Sequence, residues 1–273
     1  MVNVTRLNMA DQQKVKKYYI RGRTLSFEED GAHEFKGHRN LCVEEIPYFS
    51  RGTDKVHSSR KAISRNLNAF LNSGKGGTVY LGVSDDGSVH GLKMSHFQKE
   101  HFLESLDDLM MRYEPTVAPH RYNVKFIPVI EQNTTEADIL KLCTYDSSFA
   151  AASLERNRKH VLRNPCYCWC DKEAVAAYNC GLVTPDYVVE VVIQPWKRDD
   201  PRNVGLGLII NIHPLHKDEE GKIYFRRQAS VVQYSLNSLV QITKQEVKEL
   251  CEGEIARLKG EIALLKQRRR LLS

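Results

Sequence analysis

The sequence predicts an α+β fold, a single-lobe core of mixed sheet with packed helices followed by a C-terminal helix. Three observations carry that reading. Strand-like and helix-like segments are interleaved without a strict strand–helix–strand repeat. The runs Thr78–Val83 and Tyr187–Ile193 are short, apolar and rich in β-branched and aromatic residues, as buried strands are. Residues 243–273 keep helical spacing throughout.

Along the chain, residues 1–24 form a basic N-terminal segment, helix or arm, with Lys14, Lys16, Lys17, Arg21 and Arg23. The core spans 25–242. It opens with a short strand ending at Glu34-Phe35-Lys36, followed by a polar, turn-rich loop. Ser58–Asn72 is a helix with Ile63, Leu67, Phe70 and Leu71 on one face and Arg60, Lys61 and Arg65 turned outward. Ser73-Gly74-Lys75-Gly76-Gly77 stops it. This glycine run lacks the spacing of a phosphate-binding loop and follows a helix rather than a strand, so a helix-stop turn is the default.

Thr78–Val83 is the next strand, and Asp85-Asp86-Gly87 turns the chain toward Val89–Leu92. Phe97–Tyr113 is a second amphipathic helix, with Phe102, Leu106, Leu109 and Met110 on its apolar face. Tyr122–Ile130, Tyr187–Ile193, Val204–Ile212 and Lys222–Arg227 read as further strands. Two stretches, about 37–57 and about 131–180, look like insertions. In residues 243–273, Thr243 and Glu246 match a capping box. Ile255, Leu258, Ile262, Leu265 and Leu272 hold a/d spacing, with Arg269 breaking the next a position, while Gly253 and Gly260 weaken the helix. A packed terminal helix and a short intermolecular coiled coil both fit this segment.

With 41% hydrophobic and 27% charged residues, the composition is that of an ordinary globular protein. A net charge of +6 gives a mild lean toward polyanionic partners. No apolar run approaches the ~18 residues of a membrane span, and Met1–Thr24 is polar and lysine-rich rather than a secretory leader. Seven cysteines in such a chain point to reduced thiols, hence a cytoplasmic or nuclear protein without a membrane partner.

Glu29, Glu34 and Asp85 sit at the ends of predicted strands beside basic residues. All-oxygen sites of this type favour hard divalent cations; without further context the same residues read as surface charge. The motifs around them are more specific. Tyr19-Ile20-Arg21-Gly22-Arg23-Thr24-Leu25 leads through Glu29 to Glu34-Phe35-Lys36, and Leu67–Ser73 leads into Gly76-Gly77-Thr78-Val79-Tyr80-Leu81-Gly82-Val83-Ser84-Asp85-Asp86-Gly87. A third block, Val188–Ile193, and a fourth, Tyr224-Phe225-Arg226-Arg227 before Ala229-Ser230, follow in order. Together these resemble the Schlafen family, whose signature runs Glu-Ser-x-x-x-Glu-Phe-Lys, and within it the short Schlafen-like proteins rather than the long helicase-bearing ones.

The resemblance implies an AlbA-like Schlafen core and a divalent-metal-dependent endoribonuclease acting on tRNA-like or small-RNA-precursor substrates. Its three catalytic, metal-holding acids fall on Glu29, Glu34 and Asp85, with Mg²⁺ or Mn²⁺ as cofactor and Asp86 a possible substitute for Asp85. Lys36 could support the site by neutralising the scissile phosphate, and His33 could serve as acid or base. Asp30 departs from the family's usual serine. Arg226, Arg227, Arg60 and Lys61 are the expected RNA contacts. Long Schlafens enclose RNA between two lobes, so a second Schlafen-fold subunit, identical or not, is the expected partner. The alternative is a catalytically inactive nucleic-acid-binding or scaffold subunit. Cys166, Cys168, Cys170 and Cys180, with His160 nearby, are candidate ligands of a structural zinc or simply unliganded thiols.

Overall fold

The run Asp186–Ile193 alternates large apolar residues on both faces, and such a strand is stable only inside a sheet covered from both sides. In a computed structural model of the chain it is the central strand, β6. The structure describes residues 17–50, 61–144, 158–165, 167–180, 185–203 and 213–272. Strands β3 (Gly77–Leu81) and β5 (Tyr122–Ile130) flank β6, both antiparallel to it. Outside them, β2 (His33–Lys36) runs parallel to β3 and β1 (Tyr19–Ile20) parallel to β5. The order is β1-β5-β6-β3-β2, and β4 (Leu92–Lys93) pairs with the start of β6. Mixed pairing of this kind is what the interleaved sequence pattern predicted.

Because strand side chains alternate, the two faces are distinct. Val79, Leu81, Val189 and Val191 pack under helices α1 (Ser64–Asn72) and α2 (His96–Arg112). The other face gathers Tyr19, Phe35, Tyr80, Val83, Val129 and Val188. Glu190, on β6, falls opposite Tyr80 and Lys125 and is 4% exposed. Its carboxylate accepts from Tyr19 Oη at 2.6 Å and Lys17 Nζ at 2.5 Å, which is how a charge can be kept inside a sheet.

The glycine run after α1 is packed rather than free to cradle an anion. A Cβ on Gly76 would lie 2.4 Å from Ile193 O, and one on Gly77 would lie 2.4 Å from the Phe70 ring. Helix α1 also carries Asn68 and Asn72, both fully buried. Asn72 Nδ2 donates to His216 O (2.9 Å) and Tyr224 O (3.1 Å), and Asn68 Oδ1 accepts from Tyr224 N at 2.9 Å. These bonds pin strand β7 (Tyr224–Arg227), which pairs with β8 (Ser230–Gln233), onto α1.

Within 131–180 the chain forms helices α3 (Glu136–Thr144) and α4 (Trp169–Asn179), elements the polar composition did not reveal. The last helix, α5 (Leu236–Leu272), starts seven residues earlier than the Thr243–Glu246 pattern suggests. Ser235 accepts from Ser238 N at 3.3 Å at its start, and Leu239 is buried, so the first turns continue an apolar face that the capping-box match obscures. The expected strand Val204–Ile212, the N-terminal arm through Lys16, Arg60 and Cys166 lie outside the described residues. The chain divides into two compact units, Met1–Trp196 with Leu215–Val232, and Lys197–Pro214 with Gln233–Ser273. Among the described residues, no helix is long and apolar enough to cross a membrane.

Candidate functional site

Glu34 lies on β2, with its side chain on the helix-covered face and 6% of the residue exposed. Two cations close on it. Lys36 Nζ is 2.6 Å from Glu34 Oε1, and the Arg226 guanidinium donates to Oε2. Arg226 is held in turn by Asp30 O (2.8 Å) and His33 O (2.9 Å) and lies 5.3 Å from the Phe70 ring centre. The buried asparagines of α1 fix β7, and β7 aims Arg226 inward.

Glu29 approaches from the loop before β2. Its Oε1 accepts from Phe35 N at 2.8 Å and lies 3.9 Å from Lys36 Nζ. Burial pushes its carboxyl above the ordinary range, and the Phe35 N–H offsets part of that. Lys36 therefore stands as one ammonium between two carboxylates. Asp30 shapes the loop, its Oδ1 accepting from Ala32 N (2.7 Å) and His33 N (2.8 Å). A serine at this position could make similar, weaker turn bonds, so the departure at residue 30 has a structural role.

Parallel pairing brings the C-terminal ends of β2 and β3 to the same end of the sheet, and the Asp85–Gly87 turn follows β3 there. Leu25 N donates to Gly87 O at 3.0 Å, which ties that turn to the segment leading to Glu29. Asp86, considered as a substitute for Asp85, is committed to the turn. It accepts from Ser84 Oγ (2.6 Å), Ser88 N (2.9 Å) and Ser88 Oγ (3.0 Å), and the Ser84 hydroxyl leads in lowering its carboxyl to about 2. Asp85 is exposed and bonds to no other described residue.

Two expectations need correction. His33 cannot act beside Glu34, because neighbouring strand residues face opposite ways. Its ring packs 4.5 Å from Phe27 and its Nδ1 lies 2.9 Å from Asp30 Oδ1. Arg226 is not on an open RNA path, since its side chain is 1% exposed and spent on Glu34. Arg227, the next residue on the strand, and Lys61 are exposed.

Among the described residues, one group of three or more His, Cys, Asp or Glu side chains places its ligand atoms within 4.8 Å of one another. It is His101, His160, Cys168 and Cys170, not the three acids. His101 lies on α2, Cys168 caps α4 and Cys170 lies in its first turn. His160 stacks on Trp169, ring centres 4.9 Å apart, and Cys168 Sγ lies 3.5 Å from His160 Nδ1. Val161 N also points at Cys168 Sγ, at 3.5 Å. Burial, aided by His160, pushes His101 down to about 4, which leaves a neutral ring with a free lone pair. His101 Nδ1 is buried without a hydrogen-bond partner, and burial raises the Cys170 thiol. Both groups lack what a bound cation would supply.

The set therefore fits a metal. Two sulfurs and two imidazoles are the donors of closed tetrahedral zinc sites. Of the expected cysteines, Cys168 and Cys170 belong to it. Cys180 is exposed at the far end of α4, ~15 Å along the helix from Cys170. Sequence spacing missed His101, which is 59 residues from His160 and joins it only through the packing of α2 against α4.

A family model described as Schlafen, AlbA_2 matches residues 29–235, well over half the chain. The chain belongs to the Schlafen family. The match begins at Glu29 and runs past Arg226, so the whole Glu29–Glu34–Lys36–Arg226 cluster, the Asp85 turn and the His/Cys set fall inside the Schlafen domain. A Schlafen AlbA_2 domain suggests nuclease-like chemistry on nucleic acid.

Proposed function

We propose that this Schlafen chain is a divalent-metal-dependent endoribonuclease that cleaves structured or small-precursor RNA, such as tRNA-like substrates. The observation that carries the proposal is Lys36 Nζ lodged between Glu34 (2.6 Å) and Glu29 (3.9 Å), because a carboxylate pair that gathers one cation is a pair able to hold another. Glu29, Glu34 and the unpartnered Asp85 would hold Mg²⁺ or Mn²⁺, although the three do not converge on one point as they stand. Such an ion supplies stabilisation of the charge that builds on the phosphate oxygens and an activated water or 2′-hydroxyl. Arg226 holds the Glu34 carboxylate in place inside the fold. Lys36 carries the positive charge that meets the scissile phosphate, and Arg227 and Lys61 offer exposed charge to the RNA backbone.

The His/Cys set has a separate task in this reading. Zinc held by His101, His160, Cys168 and Cys170 would staple α4 to α2, a structural rather than catalytic role because all four positions are protein side chains. The described cysteines form no disulfide with one another, which favours a cytoplasmic or nuclear setting.

One observation favours a second reading, a non-catalytic RNA-binding or scaffold subunit: both Glu34 oxygens are already occupied by Lys36 and Arg226. Incubating the protein with a panel of tRNA and single-stranded RNA in Mn²⁺ separates the two. The clean comparison is Asp85→Asn, whose side chain has no bond to another described residue to lose. Cleavage by the wild type that disappears in the variant, with RNA binding retained, supports the nuclease. Equal products from both would reject the site.

A further inference from the structure

We propose that α5 pairs with a second copy of this chain as a parallel, in-register, two-stranded coiled coil. The inference does not depend on the nuclease reading. From Cys251 to Arg269 every residue except Glu254 is exposed, so no described residue of its own unit covers this stretch. Yet it carries Ile255, Leu258, Ile262 and Leu265, which are 50%, 43%, 51% and 64% exposed. Four large aliphatic residues at 3–4 spacing on an uncovered helix mark a seam that a partner helix would bury.

The heptad positions say which partner. Ile255 and Ile262 fall at a, and Leu258 and Leu265 at d, with Cys251 at the preceding d. Isoleucine at a with leucine at d is the combination that favours two parallel strands. Gly253 and Gly260 both fall at f, farthest from the seam, where an added Cβ would meet nothing within 4 Å. The residues that weaken the helix therefore leave its contact face whole. Leu264, also exposed, lies at c, outside the seam.

Charge then selects a copy of the same chain. Glu254, Glu261 and Arg268 occupy g, and Glu252, Lys259 and Lys266 occupy e. In a parallel in-register pair each g faces the e position five residues on in the other helix. Glu254 then meets Lys259 and Glu261 meets Lys266, on both sides of the seam. In an antiparallel pair g meets g and e meets e, so Glu261 faces Glu261 and Lys259 faces Lys259 at the middle of the seam, whereas Glu254 and Glu252 meet Arg268 and Lys266 at its ends. At these flanking positions only the parallel pair is without like-charge contacts. Arg257, at c, already bonds Glu254 and Glu261 along its own helix. Exposed pairs of that kind are weak enough to be shared with a second helix.

The test is sedimentation or light scattering of the full chain at micromolar concentration. The wild type is expected to be a dimer. E254K/E261K and K259E/K266E each place like charges across the seam, and each is expected to raise the dissociation constant at least about tenfold. Mixing the two variants should restore the dimer, because opposite charges face again. A monomeric wild type, or charge variants that dimerise as the wild type does, overturns the proposal. A homobifunctional maleimide reads the direction. In the parallel pair the two Cys251 thiols face each other and cross-link, and Cys251→Ala abolishes the product. A dimer that gives no Cys251-dependent cross-link overturns the parallel register.

Discussion

Arg226 and Glu34, 192 residues apart in sequence, form an ion pair with both side chains buried, 1% and 8% exposed. Removing one partner of such a pair leaves the other charge in a poor dielectric, at a cost of ~3–5 kcal/mol. Arg226→Ala should therefore lower the denaturation midpoint sharply. Arg227→Ala, on the exposed next position, should stay within ~0.5 kcal/mol of wild type. Equal effects in urea titrations would mean that Arg226 does not occupy the inward position described here.

The asparagines that aim Arg226 can be examined separately. Asn68 and Asn72 are fully buried and each bonds backbone groups of β7 or the segment before it. An alanine at either position leaves buried peptide groups unpaired, at ~1–3 kcal/mol. The expected outcome is a loss of that size in thermal or chemical unfolding. Amide exchange of Tyr224, whose N–H bonds Asn68 Oδ1, should quicken in Asn68→Ala.

Asp86 sets a pH dependence. Its carboxyl is lowered to about 2, led by the Ser84 hydroxyl with the Ser88 N–H and hydroxyl adding to it, so the folded turn holds this proton less readily than the unfolded chain does. Its stabilising effect is then fully present above the ordinary aspartate value near 4 and is lost as pH falls toward about 2. A carboxyl-carbon NMR titration should place the Asp86 midpoint well below that of an ordinary aspartate. Asp86→Asn should flatten the stability profile between those two pH values.

Most of the fold was legible because apolar periodicity is local. β5 spans the residues its pattern marks, Tyr122–Ile130, and α2 begins one residue from the expected position. The start of α5 was hidden, because Thr243 and Glu246 mimic a cap while Ser235 holds the true start. At the site, Glu29, Glu34 and Lys36 could be found from one contiguous motif, since their cluster is built within eight residues. The inward turn of Arg226 could not. It depends on two asparagines of α1 holding a distant strand, and no local pattern reports that. The same holds for the metal set, where Cys168 and Cys170 announce themselves and His101 does not.

That set gives a direct metal prediction. Protein purified without chelator should carry about one zinc per chain, and His101→Ala or Cys168→Ser should lose it. Stripping the metal should lower the thermal midpoint and loosen α4. Cys180→Ser should keep both the zinc and the stability, because Cys180 stands at the other end of α4. Elemental analysis that finds zinc unaffected by either ligand substitution would falsify the assignment.

The two f-position glycines of α5 offer a test that strengthens rather than breaks the proposed coil. Each costs a helix ~1 kcal/mol relative to alanine, and neither has a neighbour within 4 Å that an added methyl would strike. Gly253→Ala with Gly260→Ala should therefore raise helix content by circular dichroism whatever the oligomeric state. If the monomer's helix frays, part of the association free energy is spent ordering it, and the double substitution removes that cost in advance. The dissociation constant should then fall along with the gain in helicity. A helix that becomes more stable while self-association stays the same would show that the seam between Ile255 and Leu265 is not what holds two chains together.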